Sequence, residues 1–327
     1  MNIEEKTIER QIGFNNQWPD ELEVTTEAYH LLLQRMEEQG LGQLLLAVPV
    51  NSKAAFFSLS KDKELAKLFS AYLDLFHLLP LHPDLAFDTI WRSLEYAIKL
   101  YAKRAWGYGA DRGIVDCFKR VADEVIGPKC KQVPALREAF DALFCEMSVS
   151  LSNYLVARLF YTKPLSVAPQ IALVRERAKG VLNEALLTEI QQVYVLPDGS
   201  MDTKGIRDIG RRFARLVRGD DFEFGGHHHQ PLNFSTRVLF MLSVVLYTSR
   251  CERFHGDVYS PFKSSIASLN RYYEYYYLTL CSTLFFWCML EKLIERVDGL
   301  IQFVDFVDVK HAVVETLKRM KQVLTNK

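Results

Sequence analysis

The chain has 327 residues, 49% of them hydrophobic and 24% charged, so it can bury a large core in one or two domains. Its 40 lysines and arginines balance 40 aspartates and glutamates, which excludes a global field attracting nucleic acid or anionic membrane. The six cysteines show no CxxC spacing, and the charged N-terminus lacks the apolar core of a signal peptide. These features predict reduced thiols in a cytoplasmic protein, without disulfides or a zinc site.

Residues 1–80 are predicted to form an N-terminal region that is partly helical and partly irregular. Residues 1–24 are polar and aperiodic, and we expect a loose arm there. The apolar spacing predicts a helix over Thr25–Glu38. Residues 44–59 are ambiguous because Pro49 argues against a single helix, which leaves two short strands or irregular segments open.

Residues 81–327 are predicted to form a helical domain, so the fold class is all-α. Helical periodicity recurs from residue 61 onward, and no alternation of strands with helices supports a parallel sheet. Gly127-Pro128 is expected to end one helix, and Gly219–Pro231 is expected to be an open polar loop. The predicted helices are Lys61–Leu78, Asp84–Ala102, Asp111–Val125, Pro134–Tyr161, Ala168–Val193, Asp202–Val217, Ser235–His255, Ser264–Val297 and Val307–Val323.

A charge-free stretch, Leu278–Leu290, raises the question of a membrane span. A spanning helix needs about 20 apolar residues, and this stretch is shorter and has charged residues on both sides. We therefore expect a buried central helix and no membrane association.

An arginine and a histidine, Arg250 and His255, lie at the end of the apolar run Val238–Tyr247. Histidine exchanges protons near neutral pH, and the guanidinium fork suits phosphate. Gly256 is a typical helix stop, which places His255 at a carboxyl end. Five positions put the two side chains roughly 140° apart on a helix. Spacing alone leaves an alternative open. In it, Arg250 only packs its aliphatic stem at the helix end, and His255 only interacts with the last carbonyls of the helix.

The segment Tyr247-Thr-Ser-Arg250-Cys251-Glu252-Arg253-Phe254-His255-Gly256 resembles the Arg-x4–6-His signature of HEPN-domain ribonucleases, in a variant with Arg-Cys and His-Gly. Asp84–Lys103 resembles the early helix of larger HEPN-like proteins. Many HEPN proteins carry a polar residue after the arginine. Cys251 stands there instead, which leaves that supporting role unfilled or passes it to Glu252.

The resemblance implies an antiparallel helical bundle that forms a homodimer, with two Arg/His pairs in one composite centre. It implies metal-independent cleavage of RNA through attack of the 2′-hydroxyl, without a cofactor. His255 would act as general base or acid, and Arg250 would stabilise charge on the phosphoryl oxygens. Because such proteins often serve as toxins or phage-defence effectors, an antitoxin or activator is a further expected partner.

RNA binding also needs local positive charge, which the helix Asp202–Val217 and its end supply. Arg207, Arg211, Arg215 and Arg218 recur at steps of four, four and three, so they line one stripe that could hold a phosphate backbone. The alternative is that these arginines only form the solvent-exposed face of a helix that packs inward on its opposite side. Arg253 and Lys263 are weaker candidates for phosphate contact near the motif.

Two other clusters invite a function. His227–His229, near Asp220 and Asp221, suggest a metal, but consecutive histidines cannot all face one ion, so we favour a solvated loop. The tyrosines between positions 272 and 277 could stack bases, but their helical spacing favours packing.

Two other classes compete with the ribonuclease. A non-catalytic helical protein would keep the bundle and use the Arg/His helix for dimer packing. A metal-dependent hydrolase would use the histidine loop.

Overall fold

The structure is a computed structural model that describes residues 27–38, 62–109, 112–160, 168–254, 268–298 and 303–325. Within these ranges the fold is all-α, as the periodicity predicted, apart from one short hairpin and an isolated bridge. The features predicted for residues 1–24 and 44–59 lie outside the described residues.

The helices follow one another through most of the described chain, and two of them contain a π-helical turn. The elements are α1 (Glu27–Glu38), α2 (Lys63–Leu78), α3 (Pro83–Trp106), α4 (Val115–Arg120), π1 (Val121–Ile126), α5 (Gly127–Gln132), α6 (Pro134–Cys145), α7 (Val149–Phe160), α8 (Ala168–Lys179), α9 (Glu184–Tyr194), α10 (Thr203–Arg218), β1 (Phe222–Phe224), β2 (His227–His229), α11 (Phe234–Phe240), π2 (Met241–Leu246), α12 (Tyr247–Phe254), α13 (Leu269–Asp298) and α14 (Phe306–Leu324).

The predicted helix Pro134–Tyr161 is wrong, because it is two helices, α6 and α7. The hydroxyl of Ser148 accepts a hydrogen bond from Leu151 N–H at 3.0 Å and so begins the second helix. Arg218 donates to the carbonyl of Met147 in the break, at 3.2 Å. Periodicity misses this break because both helices keep an apolar face.

The predicted helix Ala168–Val193 is likewise two helices, α8 and α9. The chain turns after Gly180, and the Asn183 side chain accepts a hydrogen bond from Ala185 N–H at 2.8 Å. Asparagine at this position competes with a continuous helix because it caps a new one.

The expected helix end at Gly127-Pro128 is also wrong, because α4, π1 and α5 run on to Gln132. Gly127 N–H bonds to the carbonyl of Ala122, five residues back instead of four. A proline inside an α-helix lacks a donor and crowds the preceding turn. The wider π turn directly before Pro128 relieves this crowding, so the helix continues.

The loop predicted over Gly219–Pro231 contains the antiparallel hairpin β1–β2. Gly225 and Gly226 form its turn with φ of 59° and 81°, the left-handed conformations that a two-residue hairpin turn of this type requires. Phe222 and Phe224 are buried, and β1 packs against α10. The apolar-polar-apolar triplet before Gly-Gly was the sequence signal for this hairpin.

Helix α13 is the centre of the core and packs most extensively against α3. The segment Leu269–Arg296 is long and apolar enough to cross a membrane, but 94% of its most apolar stretch is buried inside the protein. Trp287 packs edge-on against Tyr72 of α2, with 4.6 Å between ring centroids. The segment is therefore a core helix, and α2 from the predicted N-terminal region shares this core.

Candidate active site

The motif helix runs unbroken from α11 through π2 to α12 (residues 234–254). Asn233 caps it by accepting a hydrogen bond from Thr236 N–H at 2.9 Å. The apolar run from Val238 to Leu246 is buried apart from Leu239, which anchors the helix in the core. The anchored run fixes the direction in which the side chains of α12 leave the helix.

The π2 turn immediately precedes the motif and changes its hydrogen bonding. Tyr247 N–H bonds to the carbonyl of Leu242 and not to that of Ser243, as it would in an α-helix. The Ser243 carbonyl instead accepts a hydrogen bond from Arg177 Nε of α8 at 3.0 Å. Arg177 also donates from Nη2 to the Thr248 hydroxyl at 3.1 Å, so α8 is tied to both sides of the π turn.

Arg250 lies at the surface of α12 with 23% of its side chain exposed. Its Nη2 is 3.5 Å from Glu95 Oε2 of α3, and its guanidinium carbon is 6.0 Å from the Tyr247 ring centroid. The same Oε2 accepts a hydrogen bond from the Trp91 indole at 3.2 Å, and Oε1 accepts one from Lys99 at 2.8 Å. Glu95 therefore orients Arg250 and joins helix α3 to the motif helix.

Arg253 is the second arginine of α12, and only 8% of its side chain is exposed. Its guanidinium pairs with Asp88 at 2.6 Å and Asp84 at 3.4 Å, and it donates to the Tyr275 hydroxyl at 3.4 Å. Burial would lower the pKa of Arg253, but Asp88 and Tyr275 raise it above its usual value. An RNA phosphate would have to displace these carboxylates, so this geometry does not favour the predicted phosphate contact of Arg253.

The two supporting candidates differ in their surroundings. Cys251 is half-buried, and Tyr247, whose pKa is raised by burial and by the nearby Cys251, lies beside it. Glu252 is buried and forms an ion pair with Arg158 of α7, whose Nη2 donates at 3.1 Å. The pKa of Tyr154 is well above its usual value because of burial and the charge of Glu252. Glu252 thus joins α7 to α12.

Two predicted residues lie outside the described residues, the catalytic candidate His255 and the phosphate-binding candidate Lys263. The structure places Arg250 on the motif helix, and the predicted pairing of Arg250 with His255 stays a prediction. Glu95 and Arg177 were missed by sequence reasoning, because each reaches α12 from a helix far away in the chain. Only the resemblance of the Asp84–Lys103 segment pointed towards one of them.

The predicted arginine stripe on α10 is an exposed ridge, which we call the arginine ridge: Arg207, Arg211, Arg215 and Arg218. Among the described residues, no carboxylate forms an ion pair with Arg207, Arg211 or Arg215. In the described part of the chain, the ion pair of this helix joins Arg212 and Asp208 at 3.2 Å and lies beside the ridge. Exposed positive charge at this spacing suits a polyanionic backbone.

The histidines of β2 alternate between two sides of the hairpin. His227 and His229 both approach Glu189 of α9, at 3.2 and 3.7 Å, whereas His228 contacts Glu223 at 2.7 Å. In the described part of the chain, no three histidine, cysteine, aspartate or glutamate side chains are arranged to hold a metal ion. His227 and His228 form hydrogen bonds with these carboxylates, whereas the buried Nε2 of His229 has no hydrogen-bond partner among the described residues.

The tyrosine block of α13 is packed inside the protein, as its spacing favoured. Its members are at most 8% exposed: Tyr272, Tyr273, Tyr275, Tyr276 and Tyr277. The Tyr277 hydroxyl donates to the Leu143 carbonyl at 2.8 Å, and that of Tyr276 donates to the Pro80 carbonyl. These hydroxyls satisfy carbonyls at helix ends, and the rings are not available for base stacking.

Compared with protein-family models, with curated proteins and with solved structures, the chain shows no match. The resemblance to HEPN ribonucleases rests on the motif residues of α12, on those that follow them and on the segment Asp84–Lys103.

Proposed function

We propose that the protein is a metal-independent endoribonuclease that acts as a homodimer in the cytoplasm. The observation that supports this most is the difference between the two arginines of α12. Arg253 is enclosed by carboxylates, whereas Arg250, the arginine that the motif selects, keeps solvent access on a rigid helix. An arginine that stabilises a phosphoryl group has to be both oriented and reachable.

In the proposed reaction, the ribose 2′-hydroxyl attacks the adjacent phosphorus. His255 accepts the hydroxyl proton, or donates a proton to the leaving 5′-oxygen, and the partner subunit's copy of the motif supplies the complementary group. Arg250 donates hydrogen bonds to the non-bridging oxygens as their charge grows. The products are a 2′,3′-cyclic phosphate and a 5′-hydroxyl, which distinguishes this chemistry from metal-dependent hydrolysis.

Substrate capture is assigned to the arginine ridge in this proposal. Its guanidinium groups are exposed and lack carboxylate partners among the described residues, so they can exchange counterions for RNA phosphates. A role as a toxin or phage-defence effector, with an antitoxin or activator as partner, is part of the same proposal and comes from the family resemblance.

The test is cleavage of single-stranded RNA in EDTA by the purified protein. We expect His255→Ala and Arg250→Ala each to lower the rate by about 10²–10⁴-fold, because each removes a group that acts in the transition state. Arg175→Ala, which removes one positive charge from α8, is the matched control and should cleave normally. Activity that needs added manganese or zinc would contradict the proposal.

Light scattering on the same samples tests the dimer. A monomer with full activity would rule out a composite centre. Intact dimers that cleave none of the RNAs tried would favour a non-catalytic interaction protein. Growth of cells expressing wild type or His255→Ala tests toxicity, and equal growth would argue against a toxin.

A further inference from the structure

Arg177 is a half-buried arginine that approaches the candidate active site from α8. Its guanidinium carbon lies 5.0 Å from the centroid of the Tyr247 ring, the same ring that Arg250 approaches at 6.0 Å. Two arginines from different helices therefore flank one aromatic side chain at the start of α12. Neither the motif nor the spacing of the sequence pointed to Arg177.

Arg177 differs in its partners from other arginines that lie on the motif helix or beside it. Arg158 pairs with Glu252, Arg253 with Asp84 and Asp88, and Arg237 with Asp141 at 3.2 Å. Among the described residues, Arg177 meets only neutral acceptors, the Ser243 carbonyl and the Thr248 hydroxyl.

Among the described residues, the charge of Arg177 and its remaining N–H donors have no partner. A guanidinium group has five N–H donors, and the two hydrogen bonds of Arg177 use Nε and one N–H of Nη2. Burial lowers the pKa of Arg177, and only the Cys251 and Tyr247 side chains act in the opposite direction. A partly buried cation that its protein does not neutralise is stabilised when an anion binds.

We infer that Arg177 is a second phosphate-binding residue of the active site, which holds the RNA backbone beside Arg250 through its Nη1 edge. The bonds to Ser243 and Thr248 fix the guanidinium plane, so its remaining donors are held in place without further ordering. The choice of RNA as the ligand rests on the proposed ribonuclease function, whereas the phosphate chemistry rests on the contacts of Arg177.

The first experiment measures binding of a fluorescent single-stranded oligonucleotide with 2′-O-methyl riboses, which cannot be cleaved. The test variant is Arg177→Gln, which keeps an amide donor for the Ser243 carbonyl and removes the charge. We expect affinity to fall on the order of tenfold and the slope of log K against log salt to fall by about 0.7. Arg175→Ala, with the same loss of charge on the same helix, should keep the slope within error, and circular dichroism checks folding.

The second experiment uses inorganic phosphate alone and follows the melting temperature at constant ionic strength, with chloride as the reference salt. Phosphate should raise the melting temperature of wild type and of Arg175→Ala, and not that of Arg177→Gln. If wild type cleaves RNA and a folded Arg177→Gln binds both probes like wild type, the inference is overturned and the ribonuclease stands. If no RNA is cleaved but the phosphate effect depends on Arg177, the anion site stands and the ribonuclease falls. If wild type responds to neither probe, the anion site falls, and the ribonuclease falls with it when no RNA is cleaved.

Discussion

Helices α10 and α12 both carry arginines at three- or four-residue spacing, but the surroundings of these arginines differ. In α12, Arg253 is enclosed by two aspartates of α3, and Arg250 lies beside Glu95 of the same helix. On α10, the arginine ridge points to solvent without carboxylate partners among the described residues. A net charge of zero therefore conceals one region where positive charge is neutralised and one where it is not.

This difference shows how one residue type serves two purposes. The paired arginine of α12 fixes the motif helix against α3 and so sets the position of Arg250. Arg207, Arg211 and Arg215 of α10 contribute little to folding, since exposed charges interact weakly in water, but they create a local field. Stability and function should therefore respond in opposite ways when arginines are removed from the two helices.

The largest effect should come from Arg253→Ala. This change leaves Asp84 and Asp88 without their partner, and Asp84 is only 1% exposed. We expect the free energy of unfolding in urea to fall by about 3–5 kcal/mol, the usual cost of breaking a buried ion pair. The double variant with Asp88→Asn should lose less than the sum of the single changes. If the free energy of unfolding falls no further than it does when an exposed arginine is removed, the ion pair does not hold α12 against α3.

Glu252→Gln tests whether the residue after Cys251 supports folding or chemistry. Glu252 accepts hydrogen bonds from Arg158, so we expect a loss of about 1.5–3 kcal/mol in the free energy of unfolding, typical of hydrogen bonds to charged groups. The rate of RNA cleavage by the folded fraction should stay within a factor of a few. A drop in rate without a loss of stability would instead assign Glu252 a role in the reaction.

Gly210→Ala tests the buried side of α10, opposite the ridge. An added Cβ would lie 2.0 Å from Asn153 Oδ1 and 3.0 Å from Asn153 N of α7. In an open helix, glycine to alanine stabilises by about 0.5–1 kcal/mol, whereas overpacking here should destabilise by about 1–3 kcal/mol. A rise in the urea midpoint would show that α7 and α10 are not so closely packed.

The smallest effect on stability should come from the ridge itself. Arg211→Ala and Arg215→Ala should each change the free energy of unfolding by less than about 0.5 kcal/mol, as for other exposed substitutions. Each should nevertheless lower the slope of log K against log salt for RNA binding by about 0.7. This is the value that corresponds to one phosphate contact with a single strand. Unchanged slopes in both variants would remove the ridge from the RNA interface.

Much of the helical architecture could be predicted, because apolar periodicity and caps are local signals. The ends of α2, α10 and α14 agree within about two residues, the usual uncertainty of helix ends. The breaks after α6 and α8 and the two π turns were missed. The break after α6 and the turn π2 involve partners distant in sequence, Arg218 at the Met147 carbonyl and Arg177 at the Ser243 carbonyl. The break after α8 and the turn π1 were missed although Asn183 and Pro128 are local signals. The hairpin was missed although Gly225-Gly226 was a local signal.

The candidate site was likewise predictable only in part. The motif residues and the ridge could be found because their spacing is visible along one segment. The carboxylates that neutralise Arg253, and the glutamate that orients Arg250, lie on a different helix, so no spacing rule connects them. Only the fold brings these groups together.

Glu95 has a consequence for spectroscopy. Its Oε2 accepts a hydrogen bond from the indole of Trp91 and lies 3.5 Å from Arg250 Nη2, so indole and guanidinium share one carboxylate oxygen. Trp91 is fully buried, which shields its emission from bulk solvent quenching. A ligand that draws Arg250 away from Glu95 alters the electric field at this indole. The protein therefore contains an intrinsic fluorescent reporter of occupancy at Arg250, and no dye is needed to follow binding in real time.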